Sequence, residues 1–152
     1  MIKSKFILDL LHASLTSNGV IYEDGIQYGK LASPQIEYLT DVKYDYTGLG
    51  LFVTFSHTEE ALKYKSSIEN GPLGGIDIKS HDLESYANTT IFFEDGIMSS
   101  LEIFSVAGDY PKKDLENYSF VSMPVNIINN LPPKYEGNLL RFINMLLKHW
   151  FR

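Results

Sequence analysis

Phe6, Ile7, Leu10, Leu11 and Leu15 recur at intervals of three and four, so residues 3–16 read as an amphipathic helix that Asn18-Gly19 brings to a stop. From Gln35 the period changes to two. Ile36, Tyr38, Thr40, Val42, Tyr44 and Tyr46 alternate with Glu37, Asp41, Lys43 and Asp45, which predicts a strand over 35–46 with one tyrosine-rich apolar face and one charged face. Gly48-Leu49-Gly50 turns the chain. "LFVTFSH" follows as a strand apolar on both sides, the mark of a central position. Residues 57–70 read as a short helix, with Ser56 and Glu59 spaced as a capping box and Gly71 as its stop, although "LKYK" suits a strand equally well. "GGIDIKS" is a further short strand. At the far end, Leu139, Leu140, Phe142, Ile143, Leu146, Leu147 and Trp150 make a wide stripe over 136–151, a final helix.

The stretch "TTIFFEDGIMSSLEIFS" carries the clearest local signal. Asp95-Gly96 predicts a two-residue type I′ hairpin. Perfect alternation from that turn pairs Glu94 with Ile97, Phe93 with Met98, Ile91 with Ser100 and Thr89 with Glu102. Glu102 then shares a face with Phe93, Met98 and Phe104, an apolar setting that raises a carboxylate's pKa unless something pairs with it. It either reaches a sheet rim or Thr89, or works as an acid or base in a pocket. The second role needs a convergent partner group, which no spacing identifies. Together these elements predict an α+β fold: a mainly antiparallel sheet including 35–46, 50–56, 76–79, 89–94 and 97–105, with an N-terminal helix and a C-terminal helix packed on it.

Length and charge narrow the picture. A chain of 152 residues is the size of one domain, here 1–152, and can bury roughly 70% of its unfolded surface. The net charge is −6, and it is uneven: residues 1–100 hold 14 acids against 7 bases, the remainder 5 against 6. Nucleic acid is disfavoured as a ligand, because phosphate contacts need a basic footprint. A basic protein partner suits the charge, and so does simple solubility. The absence of cysteine removes disulfides and thiolate metal sites. Asp9 and His12 interrupt the apolar start, which argues against a signal peptide. No apolar run approaches membrane-spanning length, and a cytoplasmic setting is the expectation.

Recognised catalytic signatures are missing. His12, His57, His81 and His149 are far apart and in no metal-binding spacing; His57 with Glu59 and Glu60, or His81 with Asp82, supply at most isolated acid–histidine groups. Gly48-Leu49-Gly50 lacks the rest of a phosphate loop, and no serine sits in a G-x-S-x-G elbow. The expectation is no cofactor, no metal and no catalytic residue. Tyrosine, by contrast, is abundant. Ten occur, and Tyr38, Tyr44 and Tyr46 lie on or beside the acidic segment of Glu37, Asp41 and Asp45. Tyrosine favours binding surfaces through contact area, few rotamers and a polar tip, but even spacing on one strand face also suits a core.

The order "YLTDVKYDYTGLGLFVTFSH", "GGIDIKS" and "IFFEDGIMSSLEIFSVAGDYPKKDLENYSF" resembles small bacterial proteins of polymorphic toxin loci, including contact-dependent growth inhibition systems. The resemblance covers roughly 36–120, and "FFEDGI", "LEIFS" and "GDYPKKDL" are its most specific parts. It implies an immunity protein that binds and neutralises a cognate toxin domain in the cytoplasm by stoichiometric complex formation, and no active-site residue is carried over. Because many such toxins cleave nucleic acid and are basic, the acids expected to meet the toxin are Glu23 and Asp24 at a turn, Asp41 and Asp45 on the polar side of a strand, and Glu59 and Glu60 after the next strand. The alternatives are a small-molecule or peptide-binding α+β module, and an enzyme using Glu102 or Glu94.

Overall fold

The structure, a computed structural model, describes residues 1–16 and 28–121, with the side chain of Tyr28 excepted. The expected helix over 136–151 and the turn at Glu23-Asp24 lie outside the described residues. In chain order come α1 (Lys5–Thr16), α2 (Tyr28–Ala32), a 3-10 helix (Ser33–Tyr38), β1 (Leu39–Tyr46), β2 (Gly50–His57), a second 3-10 helix (Glu59–Tyr64), β3 (Gly71–Lys79), β4 (Tyr86–Glu94), β5 (Ile97–Ser105) and β6 (Ser119–Val121). The six strands form one sheet in the order β1-β2-β5-β4-β3-β6, antiparallel at every pairing.

The apolar stripe of α1 does what its spacing requires. Phe6, Ile7, Leu10, Leu11 and Leu15 are all buried, and they join Leu39, Leu51, Val53, Leu73, Ile78, Ile91, Phe93, Leu101 and Ile103 in one core. Burial of such side chains is worth about 1.5–3 kcal/mol each, so this layer supplies most of the drive to fold. Ser4 caps the helix: its Oγ accepts from Ile7 N–H at 3.1 Å and donates to Asp114 at 2.6 Å. Phe6 meets Tyr118 edge-on at 4.9 Å, and Tyr118 Oη donates to Asp9, which ties α1 to the approach to β6.

Several boundaries differ from the sequence expectation, each for a local reason. Residues 35–38 are helical, not strand: Pro34 sits in the first turn of the 3-10 helix, where its fixed φ is favourable. β3 begins at Gly71 and β4 at Tyr86, both earlier than their apolar patterns suggested. The segment after β2 is a six-residue 3-10 helix that starts after Thr58, whose side chain does not cap it, and Ser56 and Glu59 make no capping box. The hairpin turn is as its chemistry demands, with φ of 50° at Asp95 and 79° at Gly96.

Three bulges set which side chains face the helices. In β1, Asp41 pairs with Phe55 and Lys43 with Thr54, leaving Val42 as an extra residue. In β5, Ser99 is extra, because Phe92 pairs with Ser100 and Phe93 with Met98. In β3, Gly75 and Ile76 together oppose Thr89. Thr89 Oγ1 accepts from Ile76 N–H and donates to Ile76 O, both at 2.9 Å, and a side chain at Gly75 would collide with that hydroxyl.

The bulge at Ser99 corrects the expected pairing of the hairpin. Glu94–Ile97 and Phe93–Met98 hold, but Ile91 pairs with Leu101, Thr89 with Ile103 and Thr90 with Glu102. Glu102 therefore lies on the opposite face from Phe93 and Met98.

Candidate functional site

The predicted acids divide once the bulges are placed. Asp41 points to the α1 side and is only 7% exposed. Both of its oxygens accept from Lys3 N–H at 3.1 Å, and Tyr44 Oη donates to it at 2.6 Å. Burial opposes its charge, but those hydrogen bonds outweigh burial and hold its pKa below the ordinary carboxylate value. Burial, then the bond to Asp41, drives the Tyr44 hydroxyl far above its usual range. Asp41 is a structural anchor, which corrects the expectation that it lies with Asp45 on the polar side of the strand. Asp45 falls on the other face, exposed, and its carboxylate pairs with Lys43 at 2.7 Å. The reason is Val42: one extra residue between them reverses the alternation that placed both on one side.

Glu59 and Glu60 are exposed, as expected of acids just past a strand. They open the second 3-10 helix, which packs beside the first because Thr58 N–H donates to Tyr38 O at 3.1 Å. Tyr38 and Tyr64 stack there, with ring centroids 5.6 Å apart. The Tyr38 hydroxyl is pushed up from its usual value, first by the Tyr64 hydroxyl and by its charge and burial, then by the carboxylates of Glu37 and Glu60. Hydrogen bonds from the Thr58 side chain and from its own backbone N–H lower the Glu60 carboxyl. Leu62 and Tyr64 are exposed on the same short helix. The result is a patch of two stacked tyrosines, three carboxylates and an exposed leucine. Aromatic centres with charged rims are the composition of protein-binding surfaces.

Sequence reasoning included Glu59 and Glu60 in this patch but missed Tyr64, and it read Glu37 and Tyr38 as parts of a strand. "LKYK" carried the signal for Tyr64, but its period suits helix and strand alike. Beneath the patch, buried Gln35 joins three segments. Its Nε2 donates to Tyr64 O at 2.7 Å and Gly96 O at 2.9 Å, and its Oε1 accepts from Met98 N–H at 2.9 Å. The second 3-10 helix is thereby fixed to the β4–β5 hairpin.

The sheet face away from α1 holds the second feature. Glu102 is 6% exposed in the central strand β5, between Phe52 of β2 and Thr90 of β4. Burial raises its pKa, and among the described residues it has no hydrogen-bond or ion-pair partner. Among those residues, too, no group of three or more His, Asp or Glu comes together to hold a metal, and no helix is long and apolar enough to cross a membrane. No protein-family model matches the chain, and no curated protein and no solved structure matches it.

Proposed function

We propose that this domain is an immunity protein that neutralises a cognate basic toxin domain, one acting on nucleic acid, by forming a stoichiometric complex in the bacterial cytoplasm. In this reading it turns nothing over, and the segment 136–151 forms the expected helix packed on the sheet. The observation that carries the proposal is the patch on the two 3-10 helices, where Glu37, Glu59 and Glu60 surround the stacked pair Tyr38 and Tyr64. Tyrosine supplies contact area at little entropic cost, and the acids attract a positive partner from a distance. Asp45 lies on the reverse face and Asp41 is buried, so neither belongs to this surface.

The test is direct. The toxin-bearing reading frame beside the gene is expressed as its isolated domain, and association is followed at low and high salt. The triple variant E37Q/E59Q/E60Q should slow association on the order of 10-fold at low ionic strength and much less at high salt. Tyr38→Ala should instead accelerate dissociation. A complex formed at unchanged rates by both variants would remove this surface from the reading. Failure of the wild-type protein to protect cells from the toxin would end the reading itself.

A further inference from the structure

We propose that Asn70 is a site of spontaneous covalent modification, where the backbone nitrogen of Gly71 displaces the side-chain ammonia and leaves aspartate and isoaspartate at position 70. The site lies at the start of β3, beside the β4–β5 hairpin, and does not depend on the immunity reading. Asn70 is exposed, and Gly71 follows it with φ of 147°, a conformation that glycine favours. A Cβ built on Gly71 would meet nothing within 4 Å, so the space around the attacking residue is open. Asn70 Oδ1 accepts from Asp95 N–H at 3.2 Å. That donor polarises the amide carbonyl and faces the oxygen on which negative charge develops during attack. Gly71 is the first residue of β3, opposite Phe93, and the end of a ladder opens most readily.

Water is the only co-reactant. Gly71 N loses its proton and bonds to Asn70 Cγ; the Cγ–Nδ2 bond breaks, and ammonia leaves with that proton. Water then opens the succinimide ring. Cleavage at Cγ restores the ordinary peptide bond and leaves aspartate. Cleavage at the main-chain carbonyl leaves isoaspartate, in which the chain runs through the side-chain carbon. Comparable places among the described residues lack one of these features. Gly96 follows Asp95, but its N–H is held by Glu69 O at 2.8 Å. Asn88 is half-buried, donates to Asp77 and precedes the β-branched Thr89. Asn117 precedes Tyr118, whose side chain crowds its nitrogen.

The product acts on the hairpin. Glu69 O accepts from Gly96 N–H, and Gly96 O accepts from Ser66 N–H, both at 2.8 Å, so residues 66–70 tie the second 3-10 helix to the turn. A new carboxylate at position 70 joins Glu69, Glu94 and Asp95, and isoaspartate lengthens the backbone by a carbon between Glu69 and Gly71. Repulsion and the longer backbone both loosen that tie.

The full chain is aged in neutral buffer, folded and in urea. Ammonia release and peptide mass spectrometry follow each asparagine, and fragmentation separates aspartate from isoaspartate. In the folded chain Asn70 should convert on the order of tenfold faster than Asn88 or Asn117, because no side chain shields Gly71 N. Its rate should stay within about tenfold of the rate in urea, since the end of β3 opens readily. Amide exchange at Ser66 and Gly96 should quicken several-fold in the aged protein and stay unchanged in aged Asn70→Gln, whose longer side chain cyclises poorly. An Asn70 that survives as long as Asn88 in the folded chain, or converts only once urea unfolds it, overturns the proposal. Converted protein with unaltered exchange at Ser66 and Gly96 overturns its link to the hairpin.

Discussion

Asp41 holds the start of the chain against the sheet. Two oxygens face Lys3 N–H, and Tyr44 Oη closes the arrangement from below. Asp41→Asn turns an acceptor into a donor that opposes either Lys3 or Tyr44. Stability measured by urea unfolding should fall by about 1–3 kcal/mol, and a loss under about 0.5 kcal/mol would contradict the anchor role. The pH dependence has a definite sign. The folded-state pKa is depressed, so the contribution of Asp41 is fully present above the unfolded aspartate value of about 3.9 and disappears as pH falls through the lower folded value. The gap between wild type and variant should therefore narrow below about pH 4. Gln35 makes a larger prediction. Gln35→Met leaves Met98 N–H and the Tyr64 carbonyl without their Gln35 partner, while Gly96 O keeps the bond from Ser66 N–H, and should cost about 2–5 kcal/mol by the same measurement.

At the scale of elements, the strands were legible and their faces were not. The apolar stripe of α1, the Asp95-Gly96 turn and the full span of β5 could be read from spacing and turn chemistry, because each rests on interactions within a few residues. The bulges at Val42 and Ser99 could not. An extra residue leaves no trace in an alternation that already mixes polar and apolar positions, as "TDVKYDY" and "IMSSLEIF" both do. The cost of missing them was specific: Asp41 was placed in solvent and Glu102 beside Phe93. The described part of β6, Ser119–Val121, is too short for any period, and its pairing with β3 is settled by tertiary contact. One consequence can be measured. Deleting Val42 leaves Asp41 inward, Lys43 outward and Tyr44 inward, a regular strand. That variant should stay folded with β1 amides still protected from exchange, whereas loss of protection along β1 would show that the bulge is needed for pairing.

For the molecule as a whole, the two faces of the sheet have different tasks. One is spent on packing α1, and the acids of the proposed partner surface, Glu37, Glu59 and Glu60, gather where the two 3-10 helices meet. Those acids are exposed and support little of the fold. The variant E37Q/E59Q/E60Q should unfold within about 0.5 kcal/mol of wild type, so a defect in association could be assigned to the surface itself. A drop well beyond that in thermal or urea unfolding would mean that the carboxylates hold the helices together.

The bulge in β1 has one further effect, on how copies of the chain meet each other. β1 ends the strand order, and a terminal strand displays the N–H and C=O groups from which sheets grow between molecules. Val42 breaks the regular spacing of those groups halfway along the strand, and Lys43 puts a charge next to the break. At the opposite end the described residues of β6 are Ser119–Val121. Among the described residues, a sheet with many β-branched and aromatic residues is thus ended on the β1 side by an irregular strand. Straightening β1 would remove that safeguard, and the same deletion that keeps the fold should make concentrated solutions of the protein prone to fibrillar association.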